Sequence, residues 1–297
     1  MDPVIDVSGL TKGFGGKVAV HRLNLAVPQG SIFALLGDNG AGKTTTIRML
    51  TGLLRPDAGQ ATILGQDCWA AAARLRHRVG YVPERPKFYD WMTVAEIGWF
   101  TAGFYPPGFL PRYEQLAAQF RLEAKARLKT LSKGQYAKVA LALALAPDPE
   151  VLLLDEPTSG LDLFVRREFL ASMVGLAGEG RTILISSHQV AEVERIASHV
   201  AFLAEGRLLL TATAEELRQR VVRVRLRCET HPPDPSSLGT VLERNGSGSE
   251  WQAVIQDPDR RAVEALQSAP GISDFEETPL PLEEVYLALL GRKEAQP

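Results

Sequence analysis

From residue 4 to residue 27 the chain runs in short β-prone stretches separated by Gly13, Gly15 and Gly16 and closed by Pro28-Gln29-Gly30. That pattern predicts an antiparallel strand layer with tight turns. Ser31-Ile32-Phe33-Ala34-Leu35-Leu36 is then apolar without alternation, as expected of a strand buried on both faces. Glycines follow, and over residues 44–53 the apolar positions recur at helical spacing. Two more buried-strand runs lie downstream, 151–154 ending at Asp155 and 182–185 ending at Ser186, the second leading into a helical stretch over 189–197. Buried strands alternating with helices predict an α/β fold with a parallel sheet covered on both faces. Residues 94–145 have helical periodicity almost throughout, interrupted at Tyr105-Pro106-Pro107-Gly108, and predict a helical subdomain inserted over about 85–147. Past Glu216, Val222, Val224, Leu226 and Cys228 alternate with Arg223, Arg225 and Arg227, the pattern of a half-buried strand. A loop rich in Pro, Asp and Ser, a hairpin turn at Asn245-Gly246-Ser247-Gly248, a helix over 262–267 and a closing helix over 282–290 complete the series. We expect two domains, 1–215 and a small α+β domain over 216–297, without internal repeats.

Composition narrows the class of partner. The 297 residues carry 33 Lys+Arg against 35 Asp+Glu, so no long-range field draws the whole molecule to nucleic acid. Arg218 to Arg227 reads as the solvated face of a strand, because the charges alternate with apolar residues. Cys68 and Cys228 lack the spacing of a metal knuckle or redox pair, which fits packed thiols in a reducing compartment. The most apolar stretch, 139–154, is broken by Pro147, Asp148, Pro149 and Glu150, leaving pieces well short of the ~20 residues that cross a bilayer. Met1-Asp2-Pro3 opens no basic-then-apolar export pattern, and a cytoplasmic location is expected.

The most specific chemistry lies between the second apolar strand and its helix. Gly37-Asp38-Asn39-Gly40-Ala41-Gly42-Lys43-Thr44 satisfies G-x-x-x-x-G-K-[ST] in full, in the strand–loop–helix setting the motif requires. Glycines let backbone N–H groups wrap closely around phosphate, and the following helix offers its positive end to the anion. Lys43 should reach the β- and γ-phosphates of ATP and the Thr44 hydroxyl should ligate Mg²⁺, with Thr45 beside it among the nucleotide contacts.

Further motifs follow in order. Leu131-Ser132-Lys133-Gly134-Gln135 is similar to the signature Leu-Ser-Gly-Gly-Gln, and Leu152-Leu153-Leu154-Asp155-Glu156-Pro157-Thr158 to a Walker B strand with its trailing glutamate. Ser159-Gly160-Leu161-Asp162 resembles the D-loop, and His188 after Ser186-Ser187 the switch histidine. Over about residues 5–210 the chain thus resembles the nucleotide-binding subunits of ATP-binding cassette transporters, whose fold is a P-loop NTPase cassette with an antiparallel β layer and an inserted helical subdomain. The resemblance implies that Asp155 holds Mg²⁺ through water, that Glu156 activates the attacking water, that His188 contacts the γ-phosphate and that Phe14 stacks on adenine. It also implies a homodimer closed by ATP, in which Ser132, Gly134 and Gln135 of one copy cap the nucleotide held by Lys43 of the other. Integral membrane permease subunits are the implied partners, placing the chain peripherally on the inner face of the membrane. The ending Pro281-Leu282-Glu283-Glu284-Val285-Tyr286-Leu287 resembles the exporter branch.

Two positions depart from the family pattern. Lys133 stands where glycine is usual; its side chain is expected to point outward, and a positive φ there would cost about 1 kcal/mol. Glu84, in Tyr81-Val82-Pro83-Glu84-Arg85-Pro86, stands where glutamine is usual, beside the implied Mg²⁺ and attacking water, with Arg85 to offset its charge. Phe88-Tyr89-Asp90-Trp91-Met92 with Ile97, Trp99, Phe100, Phe104 and Tyr105 concentrates aromatics where the resembling transporters receive a helix of the permease; packing inside the helical subdomain is the competing use. Two other classes remain at this point: a soluble cassette ATPase acting on ribosomes or DNA, which usually has two cassettes or a coiled-coil insertion, and a nucleotide sensor without turnover, against which Glu156 and His188 speak.

Overall fold

The computed structural model describes residues 2–229, 234–247 and 249–295. It contains two compact units: the chain up to Gln189 together with Ile196–Leu208, and Val190–Arg195 together with the chain from Leu209 on. Among the described residues no helix is long and apolar enough to cross a membrane.

In the first unit, β1 (Ile5–Phe14) and β2 (Lys17–Val27) pair antiparallel, with Phe14 opposite Lys17 at the hairpin tip. β3 (Ile32–Leu36), buried at all five positions, leaves this layer and passes through the glycine loop into α1 (Lys43–Leu50). β4 (Ala58–Ile63) and β5 (Gln66–Asp67) return to it, giving the order β2-β1-β4-β5. α2 (Ala72–Leu75) leads to β6 (Val79–Val82). α3 (Val94–Ala102), α4 (Phe109–Gln119) and α5 (Lys133–Leu145) form a helical layer around Met92, Ile97, Phe109, Tyr113, Leu128 and Val139. The chain then re-enters the sheet through β7 (Val151–Asp155), α6 (Leu163–Gly178) and β8 (Thr182–Ser187). The short α7 (Val190–Val193) belongs to the second unit, and β9 (His199–Ala204) to the first. Five parallel strands run in the order β9-β3-β8-β7-β6. Val151 to Leu154 and Ile183 to Ile185 are fully buried, which is why these strands read as continuous apolar runs.

The chain passes into the second unit along β10 (Arg207–Thr213). There α8 (Ala214–Arg220) precedes a sheet of β11 (Val221–Cys228), β12 (Thr240–Ser247), β13 (Glu250–Gln256) and β14 (Ile272–Pro279), in the order β12-β13-β11-β14, with α9 (Arg260–Gln267) and α10 (Leu282–Ala295). Val222, Val224, Leu226, Trp251 and Ile255 form its core with α9. On β11, Arg223 pairs with Glu284, Arg225 with Glu276 at 3.3 Å and Arg227 with Glu250, so each guanidinium of the basic strand already faces a carboxylate.

Several elements differ from the sequence expectation. The helix over 44–53 ends at Leu50, because Thr51 caps it and Gly52 turns to φ +68°. The helix over 189–197 shrinks to α7, and the helical stretch over 94–145 breaks a second time between Gln119 and Lys133, where Arg121 adopts φ +57° without a glycine or proline to announce it. Asn245, Gly246 and Ser247 lie in β12 opposite Gln252, Trp251 and Glu250, so the chain reverses after them; Gly248 falls outside the described residues. Gly246 is dictated by strand contact, since a Cβ there would come within 2.6 Å of Trp251 Cα. Of the Pro, Asp and Ser loop, residues 230–233 lie outside the described residues and Pro235–Leu238 forms a 3₁₀ turn capped by Asp234.

The helical layer rests on a close approach of α3 and α4. Thr93 and Glu96 cap α3 reciprocally, and the buried Tyr113 of α4 lies flat against Gly98 while its hydroxyl donates to the Val94 carbonyl at 2.7 Å. A Cβ at Gly98 would lie 2.1 Å from that ring. Gly98→Ala should therefore destabilise the first unit by about 1–3 kcal/mol, lowering its thermal midpoint; an unchanged midpoint would show that α3 and α4 separate freely.

Candidate functional site

The site stands at the C-terminal ends of three adjacent strands, where open α/β sheets bind ligands. After β3 the loop turns on glycines: a Cβ at Gly37 (φ +156°) would lie 2.3 Å from the Leu203 carbonyl oxygen, and one at Gly42 (φ +106°) 2.5 Å from that of Ala19. Gly40 is also left-handed at φ +86°. Asp38, Asn39 and Ala41 fill the rest of the loop, with the Ala41 amide donating to Asp38 at 3.1 Å. Lys43, the first residue of α1, is buried; its ammonium donates to the carbonyls of Gly37 at 2.6 Å and Asp38 at 3.1 Å. The next two residues, Thr44 and Thr45, are half-buried on the first turn of α1.

β7 ends in Asp155, whose Oδ1 accepts from Thr44 Oγ1 at 3.0 Å and Ser186 Oγ at 2.8 Å. Burial pushes its carboxyl above the ordinary aspartate range against these hydrogen bonds, and the nearby charges of Glu156 and Glu84 push the same way. Glu156 follows with a left-handed backbone, φ +48°, pinned where its N–H donates to Ser186 Oγ at 3.0 Å. Its Oε2 receives the His188 N–H at 3.3 Å and lies 2.8 Å from His188 Nδ1. Its Oε1 faces the Lys43 ammonium at 3.0 Å but has no aligned hydrogen bond.

Lys43, Thr44, Asp155, Glu156 and His188 thus meet in one polar cluster, with Ser186 as a bridge whose role the sequence reading missed; a serine alternating out of an apolar strand at its C-terminal end was the available signal. Glu84, on the loop after β6, contributes charge to Asp155 and faces Arg85 at 3.4 Å. Phe14 is half exposed at the hairpin tip, with the Lys12 ammonium 5.6 Å from its ring centre. Ser132, Gly134 and Gln135 form a second cluster at the start of α5. Ser132 Oγ accepts from the Gln135 N–H at 3.2 Å, and Gln135 Oε1 from the Ser132 N–H at 2.9 Å. Gly134 abuts α6, where a Cβ would meet Val165 at 2.8 Å. Lys133 is the first residue of α5, exposed, with helical backbone; the strain considered for it does not arise.

The residues suit a nucleotide and a small divalent ion. A glycine cradle closed to side chains, a buried ammonium and an orphaned carboxylate oxygen are what phosphate and a reacting water need. Among the described residues no three His, Cys, Asp or Glu are grouped to hold a metal by themselves. Mg²⁺ asks for less, one or two oxygen side chains beside substrate phosphates, and Thr44 with Asp155 supplies them.

A glycine loop feeding α1 from a parallel strand, with paired acids on the neighbouring strand end, defines a P-loop nucleoside triphosphatase cassette. The pattern of the ABC transporter family matches residues 20–159. The chain is 33% identical over 302 residues to Nod factor export ATP-binding protein I of Burkholderia orbicola (strain AU 1054), covering 97% of each chain. It is 37% identical over 224 residues to the bacitracin transport ATP-binding protein BcrA of Bacillus licheniformis, covering 74% of this chain and 73% of that one. Among solved structures, an ATP-binding subunit of an ABC transporter superposes with TM-score 0.67 at 29% identity, over 73% of this chain and 92% of that one. A bacterial ABC transporter cassette solved as a dimer shares the fold with TM-score 0.65 at 23% identity, over 71% of this chain and 98% of that one. The chain belongs to the ABC transporter family, as an ATP-binding, ATP-hydrolysing subunit of a transporter.

Asp155→Asn keeps an acceptor for Thr44 and Ser186 but removes a charge that burial penalises. At neutral pH the nucleotide-free variant should melt above the parent by scanning fluorimetry. The difference should shrink once pH falls below the raised pKa, where the parent carboxyl takes up its proton in the folded state, and vanish below the ordinary aspartate range, where the unfolded chain is protonated as well. Equal midpoints at neutral pH would mean that the Asp155 charge is well solvated.

Proposed function

We propose that two copies of this chain close around two molecules of Mg-ATP and drive a separate integral membrane permease that exports its cargo, holding the chain at the inner face of the membrane. The observation that carries this reading is the division of the site: Ser132 and Gln135 bond to one another at the start of α5, while the phosphate-loop cluster is tied together through Asp155 and keeps Glu156 Oε1 without a hydrogen bond. A γ-phosphate in the first is capped when the N-terminus of α5 approaches from a second copy. Support for pairing comes from the cassette of the same fold solved as a dimer. Export is supported by relatives named for Nod factor export and bacitracin transport.

In this reading the loop from Gly37 to Gly42 and the first turn of α1, with Lys43, Thr44 and Thr45, receive the phosphates, and Phe14 stacks on the base. Thr44, Asp155 through water, and Glu84 hold Mg²⁺, which when bound screens phosphate charge. As Lys43 turns to phosphate, Glu156 Oε1 is released to orient the attacking water and take its proton; His188 contacts the γ-phosphate. The permease docks beside α3, where a cavity of about 350 Å³ is lined by Leu50, Leu53, Tyr81, Phe88 and Tyr105. Trp91, Trp99 and Phe104 stand two-thirds exposed in the same helical layer, more apolar ring than a solvated helix face carries. The neutralised arginines of β11 give nucleic acid no anchor, and we take residues 216–297 as an accessory domain.

Glu84→Gln should shift the Mg²⁺ dependence of hydrolysis without abolishing turnover; superimposable Mg²⁺ titrations would remove Glu84 from the metal site. Glu156→Gln preserves size and binding but removes the base, so the variant should be dimeric with Mg-ATP and monomeric with ADP by light scattering coupled to size exclusion. Adding Ser132→Arg puts a bulky cation where the cap must approach, and the double variant should stay monomeric with Mg-ATP. A double variant that dimerises like Glu156→Gln alone would end the composite-site reading.

A further inference from the structure

Arg166 sits in the first turns of α6, half-buried, and its guanidinium spans two loops. Nη2 donates to the Leu161 carbonyl in the D-loop at 3.0 Å, and Nη1 donates to Gln189 Oε1 in the loop after β8 at 2.8 Å. A guanidinium has only donors, so the carboxamide atom facing it is the oxygen, and the amide NH₂ of Gln189 points the other way. That NH₂ lies 3.5 Å from Nε2 of His188, at the long limit of a hydrogen bond. At the opposite ring nitrogen, Nδ1 lies 2.8 Å from Glu156 Oε2, an acceptor when ionised. With a carboxylate at Nδ1 and an amide donor at Nε2, the resting imidazole carries its proton on Nδ1 and its lone pair on Nε2. The Gln189 backbone is fixed as well, its N–H donating to Ser187 Oγ at 2.9 Å.

We propose that Arg166 is a positioning residue for His188: by gripping Leu161 and Gln189 together, it sets the tautomer and orientation of the imidazole and links both to the D-loop. Nε2 carries a lone pair at rest and a phosphate oxygen only accepts, so before the ring meets the γ-phosphate the Gln189 amide has to leave Nε2 and a proton has to arrive there by exchange with solvent. Arg166 therefore governs how readily that exchange occurs, through its hold from α6 on the loop that follows Glu156 in the chain. The contact of His188 with the γ-phosphate rests on the reading in Proposed function; the resting tautomer is a property of this chain alone and is measured without nucleotide.

The test uses the full-length, ¹⁵N-labelled, nucleotide-free protein. Long-range ¹H–¹⁵N correlation resolves the imidazole nitrogens of its five histidines, with His188 assigned by its loss in His188→Gln. The parent should show a protonated Nδ1 and a bare Nε2. Arg166→Met should move both signals of His188 toward the average of the two tautomers while leaving the other four histidines in place. Gln189→Glu, which keeps an acceptor for Arg166 but puts another at Nε2, should bring a proton onto Nε2. In steady-state hydrolysis Arg166→Met should lower kcat about tenfold with KM within about twofold, and should have no further effect in a Gln189→Met background. Arg166→Lys retains the charge but not the fork and should shift the His188 signals in the same direction, which keeps the test open if the methionine variant folds poorly. Unchanged His188 signals in a folded Arg166 variant, or additive losses in the double variant, would overturn the proposal. If the tautomer responds but Glu156→Gln fails to dimerise with ATP, the positioning role stands and the composite site falls.

Discussion

Lys43 and Glu156, both withdrawn from water, face each other at 3.0 Å beneath the glycine loop. Either charge alone in that position would carry a desolvation penalty of several kcal/mol, so each makes the other tenable until phosphate arrives. Their meeting depends on the sheet. Lys43 follows β3 and Glu156 follows β7, and β8 lies between these strands. Only a parallel arrangement puts all three strand ends on one edge; the middle strand supplies Ser186, which donates to the Asp155 carboxylate and accepts from the Glu156 N–H, and leads to His188, which holds the far oxygen of Glu156. The fully buried strands 151–154 and 183–185 fix that edge from below.

Much of this was legible from residue types. Continuous apolar runs gave β3, β7 and β8, because a strand covered on both faces has no polar face to alternate with, and the spacing of Gly37, Gly42 and Lys43 allows few other uses. What escaped was decided by tertiary contact. β4 contains Gly59, which approaches the Gly9 backbone too closely for a side chain, and so carries little strand propensity of its own. The break at Arg121 and the run of Gly246 into β12 follow from neighbours that local sequence does not encode. In the site, the resemblance supplied the names of Ser132 and Gln135 but not that they already satisfy one another.

The two departures from the family pattern have different physical standing. Lys133 occupies an ordinary helical position with its side chain in solvent, and its ammonium lies near Gly160, 3.5 Å from where a Cβ would be. It costs the fold little. Glu84 adds a third carboxylate to a region that already burdens Asp155, with Arg85 as partial compensation. A cation brought in with the nucleotide would offset that excess of negative charge, and occupancy and local stability would then rise together.

The backbone of Glu156 carries one more implication. A side chain at φ +48° pays roughly 1 kcal/mol that glycine would not, yet glycine has no carboxylate. Without that carboxylate the buried Lys43 ammonium would stand unpaired at a penalty of several kcal/mol, so the strain is outweighed and selection for thermal endurance alone would keep an acid at this position. A library of variants screened only for survival on heating would retain Glu156 for its ion pair without any test of turnover, so any programme to harden this subunit has to score catalysis separately.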